Sequence, residues 1–236
     1  TSYDASGTRG GSAGSNNAVV SIQTPIDADA STLYWSNALG SGTGSRSTGC
    51  PLLVDGVLIV YAGDTLYRID PVSGEILTQA KMDHASSFSI TPPAYAKGMV
   101  FVGLSDGTIQ AFDAKTLQSL WIYHDPLEGQ PNSPITICGD YLYTGFWRSE
   151  EFPANFVCLS ITDEDPTRTD EEKTACWYWT NPGGYYWAGA YACEDYVLVG
   201  TDDGADESTS MTGSLLLLDA KTGRLLDKWD SLYGDV

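Results

Sequence analysis

The chain has 236 residues, 12 basic and 31 acidic side chains, a formal net charge of −19 and a pI near 4.1. That length holds one or two domains with a sizeable core, and 42% hydrophobic residues exclude a chain disordered throughout. The charge, with no cluster of Lys and Arg, argues against a nucleic-acid binder and against docking on an anionic membrane surface.

Gly (25), Tyr (14) and Trp (7) are abundant, while charged residues make up only 18%. Turn formers recur with aromatic and β-branched runs between them, which points to β structure. No apolar run approaches the roughly 18–20 residues of a membrane span. The longest, 57–61 and 215–218, suit buried strands, so no membrane-spanning segment is expected. The sequence opens on Thr1 rather than Met, as expected if a leader has been removed or lies outside it. The missing leader therefore does not argue against export.

Residues 1–18, rich in Gly and Ser, are expected to be a flexible opening segment. Leu33, Tyr34 and Trp35 read as the last strand of an incomplete unit. Four similar units follow, near 51–92, 93–133, 134–188 and 189–230. The first runs through Gly56 and the apolar stretch 57–61 to Asp70-Pro-Val-Ser-Gly74. The second runs through Gly98, 99–102 and the Asp106-Gly107 turn to Asp113-Ala-Lys-Thr116. The third carries Gly139 and 141–143, and the fourth Glu194, 196–199 and the close Asp219-Ala-Lys-Thr-Gly223. Gly56 to Gly98 is 42 residues, Gly98 to Gly139 is 41, and Gly139 to Glu194 is 55, so the third unit holds an insertion. A period of about 40–45 made of four short strands is the signature of a β-propeller blade.

Each piece has a physical reading. The apolar run is an inner strand buried on both faces. Asp-Gly makes a tight hairpin turn, and the Asp that closes the next strand caps a turn through its side chain. The last strand ends near a Trp (Trp121, Trp177 or Trp179, Trp229), expected to pack between neighbouring blades. The five cysteines, Cys50, Cys138, Cys158, Cys176 and Cys193, form no C-x-x-C, and an odd number cannot pair fully within one chain. They read as small buried hydrophobes, with a Cys158–Cys176 pair left open.

The pattern G-x-V/L-x-V…D-G-x-L-x-A-x-D-A-K-T-G…W resembles the PQQ-like, quinoprotein-type β-propeller repeat, over about 51–229. Arg9, Gly10, Asn16 and Asn17, with Tyr3 before them, are similar to that family's opening segment. The resemblance implies an all-β propeller of four-stranded antiparallel blades. Four repeats and an N-terminal fragment fall short of the usual seven or eight blades, so the propeller over 19–236 is expected to be partial, cut at the C-terminus. Family dehydrogenases usually carry an adjacent Cys-Cys pair over the cofactor and a Ca²⁺ site. Here no two cysteines are adjacent and no Glu, Asn and Asp match the metal site, so no cofactor is assigned. PQQ with Ca²⁺ belongs to the enzymatic alternative.

In such propellers the residues leading into each inner strand line the central funnel. Counting back from the unit starts gives Ser47 and Thr48, Ser89 and Thr91, Gln130 and Asn132, and Tyr186 and Trp187 as candidate ligand-binding residues. The plainer alternative is that they satisfy local backbone groups. Phe146-Trp147 and Tyr185-Tyr186-Trp187 offer aromatic faces that could stack sugars, anchor a partner or fill the core. His84 and His124 are the only histidines; each reads as a surface or capping residue, with no further His to complete a metal cluster. The acidic loops 163–172 and 202–207 offer oxygens of the kind Ca²⁺ takes, without EF-hand spacing, and read as solvated. No catalytic or metal residues are assigned.

The reading is a non-catalytic, exported or cell-surface bacterial module that recognises a protein or a glycan, with no nucleic-acid partner. The alternatives are a quinoprotein-like oxidoreductase and an envelope assembly scaffold. The expected location is extracellular or in the cell envelope.

Overall fold

The hairpin turns are where sequence dictates backbone most directly. The computed structural model describes residues 2–3, 9–10, 33–39, 49–86, 91–149, 151–187, 189–204, 212–233 and 236. In it Asp55 and Gly56 have φ of 48° and 78°, and Lys97 and Gly98 have 50° and 80°. Two consecutive left-handed residues make the two-residue turn whose twist matches that of the strands it joins. A Cβ on Gly98 would meet open space, so its φ alone asks for glycine. Among the described residues there are strands and no helix, hence no helix able to cross a membrane.

The chain divides into two units, 1–36 and 37–236. In the first, β1 (Ser2–Tyr3) pairs antiparallel with β2 (Arg9–Gly10), Ser2 opposite Gly10. Asn16 and Asn17 lie outside the described residues. Residues 33–39 form no strand, so the last strand expected at Leu33, Tyr34 and Trp35 is corrected: no neighbouring strand among the described residues completes a ladder with them.

The second unit holds four sheets, each with its strands in chain order. The first sheet is β3 (Leu52–Val54), β4 (Val57–Ala62), β5 (Thr65–Ile69) and β6 (Ile76–Lys81). The second is β7 (Ala94–Ala96), β8 (Met99–Leu104), β9 (Thr108–Asp113) and β10 (Ser119–His124). The third is β11 (Thr136–Cys138), β12 (Tyr141–Gly145), β13 (Ala154–Ser160) and, after an excursion holding β14 (Glu171–Lys173), β15 (Trp177–Asn181). The fourth is β16 (Ala190–Ala192), β17 (Tyr196–Gly200), β18 (Thr212–Asp219) and β19 (Leu225–Tyr233). Pairing among the four strands named for each blade is antiparallel. In each sheet the apolar run is the second strand. A three-residue strand precedes it, and these short edges β7, β11 and β16 adjoin from blade to blade.

Three core clusters fill the spaces between successive blades. Strand alternation sends neighbouring side chains to opposite partners. Val100, Val102 and Leu104 of β8 meet Ile59, Tyr61 and Leu66 of the first blade, whereas Phe101 turns to Leu142 and Val157 of the third. Likewise Leu142 packs toward the second blade and Tyr143 toward Val197 and Leu216 of the fourth.

The repeated Asp is a cap with one geometry used three times. Asp70 Oδ1 accepts from the Val72 and Ser73 N–H groups and the Ser73 hydroxyl, at 2.8, 2.7 and 3.0 Å. Asp113 takes Lys115, Thr116 and the Thr116 hydroxyl at 3.0, 2.8 and 2.8 Å, and Asp219 takes Lys221, Thr222 and the Thr222 hydroxyl at 3.1, 2.9 and 2.8 Å. The Ser73 bonds and the Thr222 bonds hold the Asp70 and Asp219 carboxyls below the ordinary range. At Asp113 partial burial pushes the other way, and the bonds from Thr116 and Lys115 outweigh it. In the third blade the Ser160 hydroxyl accepts from Thr162 at 3.2 Å, where the insertion replaces the repeat's close.

Trp docking joins blades as expected at two positions. Trp121, fully buried against Phe101, reaches the Ile161 carbonyl of the third blade at 3.4 Å. Trp177 sits between Tyr143 and Phe156 and donates to the Ala220 carbonyl of the fourth blade at 2.9 Å. Its ring lies 2.6 Å from where a Gly223 Cβ would stand, so glycine there serves close approach as well as a φ of 68°. Trp229 corrects the expectation: it pairs with Leu215, two residues along from the equivalent of Trp177, and is 45% exposed.

Two outcomes follow. Trp177→Ala is expected to lower unfolding stability by about 3–5 kcal/mol and Trp229→Ala by less than about 1 kcal/mol, read by urea denaturation. The three capped carboxylates are lowered, so the stability they contribute is present above about pH 4 and lost as pH falls through their folded values. The urea midpoint is therefore expected to drop below pH 4, and replacing all three by Asn to flatten that limb while lowering stability at pH 7.

Candidate functional site

The predicted funnel residues divide in the structure. Ser47, Thr48 and Ser89 lie outside the described residues. Thr91 is buried, with its hydroxyl on the Pro131 carbonyl at 2.7 Å and its own carbonyl taken by the Tyr61 hydroxyl. Asn132 is buried beside it, its N–H on the Gln130 carbonyl at 2.9 Å. Gln130 and Trp147 exchange backbone bonds of 2.6 and 2.9 Å. The Trp147 ring lies 4.6 Å from Tyr186, and Tyr186 lies 4.5 Å from Trp187. One chain of contacts thus joins Thr91, Pro131, Gln130, Trp147, Tyr186 and Trp187.

The exposed part of that chain is an aromatic shelf. Phe146 and Tyr185 are fully buried core residues, so only their neighbours face outward. Burial pushes the Tyr185 hydroxyl well up. Trp187 is 50% exposed and sits at φ 59°, a left-handed conformation costing roughly 1–2 kcal/mol for a side chain of this kind. The Gln130 Oε1 and Trp147 Nε1 atoms are buried without a hydrogen-bond partner among the described residues. Close by in sequence, the Arg148 guanidinium lies 5.1 Å over the half-exposed Phe152 ring.

A buried carboxylate fixes the loop that carries Gln130. Asp125 is 1% exposed and accepts from the Tyr123 hydroxyl, the Leu127 N–H and the Asn155 amide at 2.9, 3.0 and 3.0 Å. Asn155 in turn accepts from Thr180 in β15 at 2.6 Å. Burial, then the Asp125 charge, pushes the Tyr123 hydroxyl up, so it stays a donor. This network crosses from the second blade to the third and locks both walls of the shelf.

The acidic insertion is organised around a cation that the sequence reading passed over. β14 pairs parallel with β10, Trp121 opposite Glu171 and Tyr123 opposite Lys173, which adds a fifth strand to the second blade. The Lys173 ammonium, 4% exposed, bonds Glu164 and the Thr162 carbonyl, lies 3.6 Å from Glu171 and stands 5.1 Å over the Trp121 ring. Partial burial raises Glu164, and its bonds to Lys173 and Glu171 pull it below its ordinary value. Three residues, Glu-Glu-Lys, carry no strand signal of their own, and only the free edge of β10 makes them one. In the other acidic loop Asp202 caps Gly204 at 2.8 Å, and Asp206 and Glu207 lie outside the described residues.

Cys158 and Cys176 lie beside each other, the Cys176 N–H on the Cys158 carbonyl at 2.8 Å, and all five thiols are free; only Cys158 is buried, and the reading of the cysteines as buried hydrophobes is corrected at Cys50 and Cys176, which are exposed. Burial pushes the Cys158 thiol up, as for an inert core residue. The two histidines meet at Asp83, the one grouping of three His, Cys, Asp or Glu ligand atoms among the described residues. Two imidazoles and one carboxylate do not match the six to eight oxygens a Ca²⁺ site takes, and no adjacent cysteines exist to close over a quinone. Neither of these features among the described residues fits PQQ with Ca²⁺.

Four-stranded blades, capped repeat turns and inter-blade tryptophans define a PQQ-like β-propeller repeat protein. Residues 19–151, more than half of the chain, match the family described as outer membrane protein assembly factor BamB, and the chain belongs to that family. BamB from Moraxella catarrhalis superimposes with a TM-score of 0.53 at 18% identity, covering 76% of this chain and 47% of that one. Quinohemoprotein alcohol dehydrogenase from Comamonas testosteroni gives 0.60 at 18%, covering 84% and 37%. A europium-containing methanol dehydrogenase gives 0.58 at 15%, covering 81% and 43%. The chain spans less than half the length of each, and at these identities the likeness shows the fold. No curated protein matches the sequence.

Removing the buried cation tests the insertion. Lys173→Ala is expected to cost on the order of 2 kcal/mol in urea denaturation, below the ~3–5 for a fully buried pair because Glu164 can rehydrate.

Proposed function

We propose that this chain is a non-catalytic propeller module of the cell envelope or exterior that docks a protein partner through the shelf of Trp147, Tyr186 and Trp187. The half-exposed Trp187, held left-handed against Tyr186, carries the reading, because backbone strain at an exposed aromatic is kept where a side chain is being presented. Trp, Tyr and Arg are the residues enriched at the energetic centres of interfaces, and Arg148 brings positive charge to an otherwise acidic chain. Membership of a family described as an outer membrane protein assembly factor supports a protein partner and an envelope location. Nothing favours a glycan over a protein.

Trp187→Ala is expected to leave the circular dichroism and urea midpoint unchanged and to weaken partner capture from an envelope extract by about 30-fold, the equivalent of a ~2 kcal/mol hot spot. Equal capture by both proteins would overturn the docking site. Binding to a glycan array, lost in the variant, would replace the protein partner. Saturable micromolar quenching of tryptophan fluorescence by PQQ with Ca²⁺ would overturn the non-catalytic reading.

A further inference from the structure

The chain's two histidines are 40 residues apart, yet both reach one carboxylate. Asp83 and His84 lie on the connection leaving β6 of the first blade, and His124 ends β10 of the second. Asp83 Oδ2 is 3.4 Å from His84 Nε2 and 3.3 Å from His124 Nε2. One ligand atom from each residue lies within 4.8 Å of the other two. The rings stand edge to face, 6.1 Å apart at 74°, so neither covers the other.

Those separations are long for N–H···O hydrogen bonds, which cluster at roughly 2.7–3.2 Å. At 3.3 and 3.4 Å each imidazole Nε2 stands from the carboxylate oxygen at the spacing of two atoms on a shared cation. Two ligands bound at about 2.0–2.1 Å and set at the tetrahedral angle are about 3.3–3.4 Å apart. We propose that Asp83, His84 and His124 form a binding site for a first-row divalent transition cation of the Zn²⁺ class. Two imidazoles with one carboxylate are a borderline donor set suited to Zn²⁺, Cu²⁺ or Ni²⁺, whereas Ca²⁺ and Mg²⁺ ask for oxygens. The three side chains are 34–45% exposed, so the cation has an open approach and water completes its shell.

The site is supported from behind. The Asp83 N–H donates to Gln110 Oε1 at 2.8 Å, and Gln110 Nε2 donates to Ser119 Oγ at 2.9 Å. Gln110 is 3% exposed on β9, so the inter-blade connection is fixed against the same sheet that carries His124. A cation bound here clamps that connection to β10, which links occupancy to stability.

The test is isothermal titration of the whole chain with ZnCl₂ in excess CaCl₂, which occupies surface carboxylates. The expected result is one saturable site, weakened at least tenfold in His84→Ala and in His124→Ala and abolished in the double variant. Zn²⁺ is expected to raise the melting temperature of the wild type alone and to shift the proton resonances of both imidazoles. Circular dichroism confirms that each variant is folded, and His124→Gln serves if His124→Ala is not. Equal zinc binding by the double variant would assign the metal to thiols or carboxylates and overturn the site. A folded wild type with no saturable isotherm would overturn it too.

Discussion

The second and third blades of this protein bury both faces of their sheets between neighbours, and the rest of the structure depends on that constraint. A strand such as β8 sends Val100, Val102 and Leu104 to one neighbour and Phe101 to the other. No single sheet can cover its own apolar side chains, so each is stable only between partners. The near-continuous apolar runs, unusual for an antiparallel sheet with one wet face, follow directly.

That constraint also explains the joints. The tryptophans of β10 and β15 each donate to a carbonyl in the turn that follows the third strand of the next blade, at Ile161 and Ala220. The Asp219 cap holds the second of those turns in shape, while at Ile161 the insertion replaces the repeat's close. The insertion returns as β14 along β10, and its lysine settles over Trp121. Packing energy and local hydrogen bonding thus meet at the same few residues.

The candidate sites lie in the loops that this framework leaves free to vary. The aromatic shelf is built on segments that follow β10, β12 and β15, held by the buried Asp125 network. The His–Asp cluster lies on the segment that follows β6 and at the end of β10. Both rest on rigid sheet ends, which is what lets exposed side chains keep a fixed geometry.

The sequence by itself determined the repeat, its period, the turns and the all-β class, because these are written in local signals: Asp-Gly pairs, capping Asp with Thr or Ser three residues on, and apolar runs. It set Gln130, Tyr186 and Trp187 among the residues expected at a common mouth, and the structure joins these three through Trp147. It did not place the short strands at the inner edge, the parallel pairing of Glu171, Glu172 and Lys173, the exposure of Trp229 or the meeting of His84 with His124. Those follow from which sheet edge is free and which loops lie across a blade boundary. Contacts between residues 40 or 50 positions apart have no local signature, and only the packed sheets decided them.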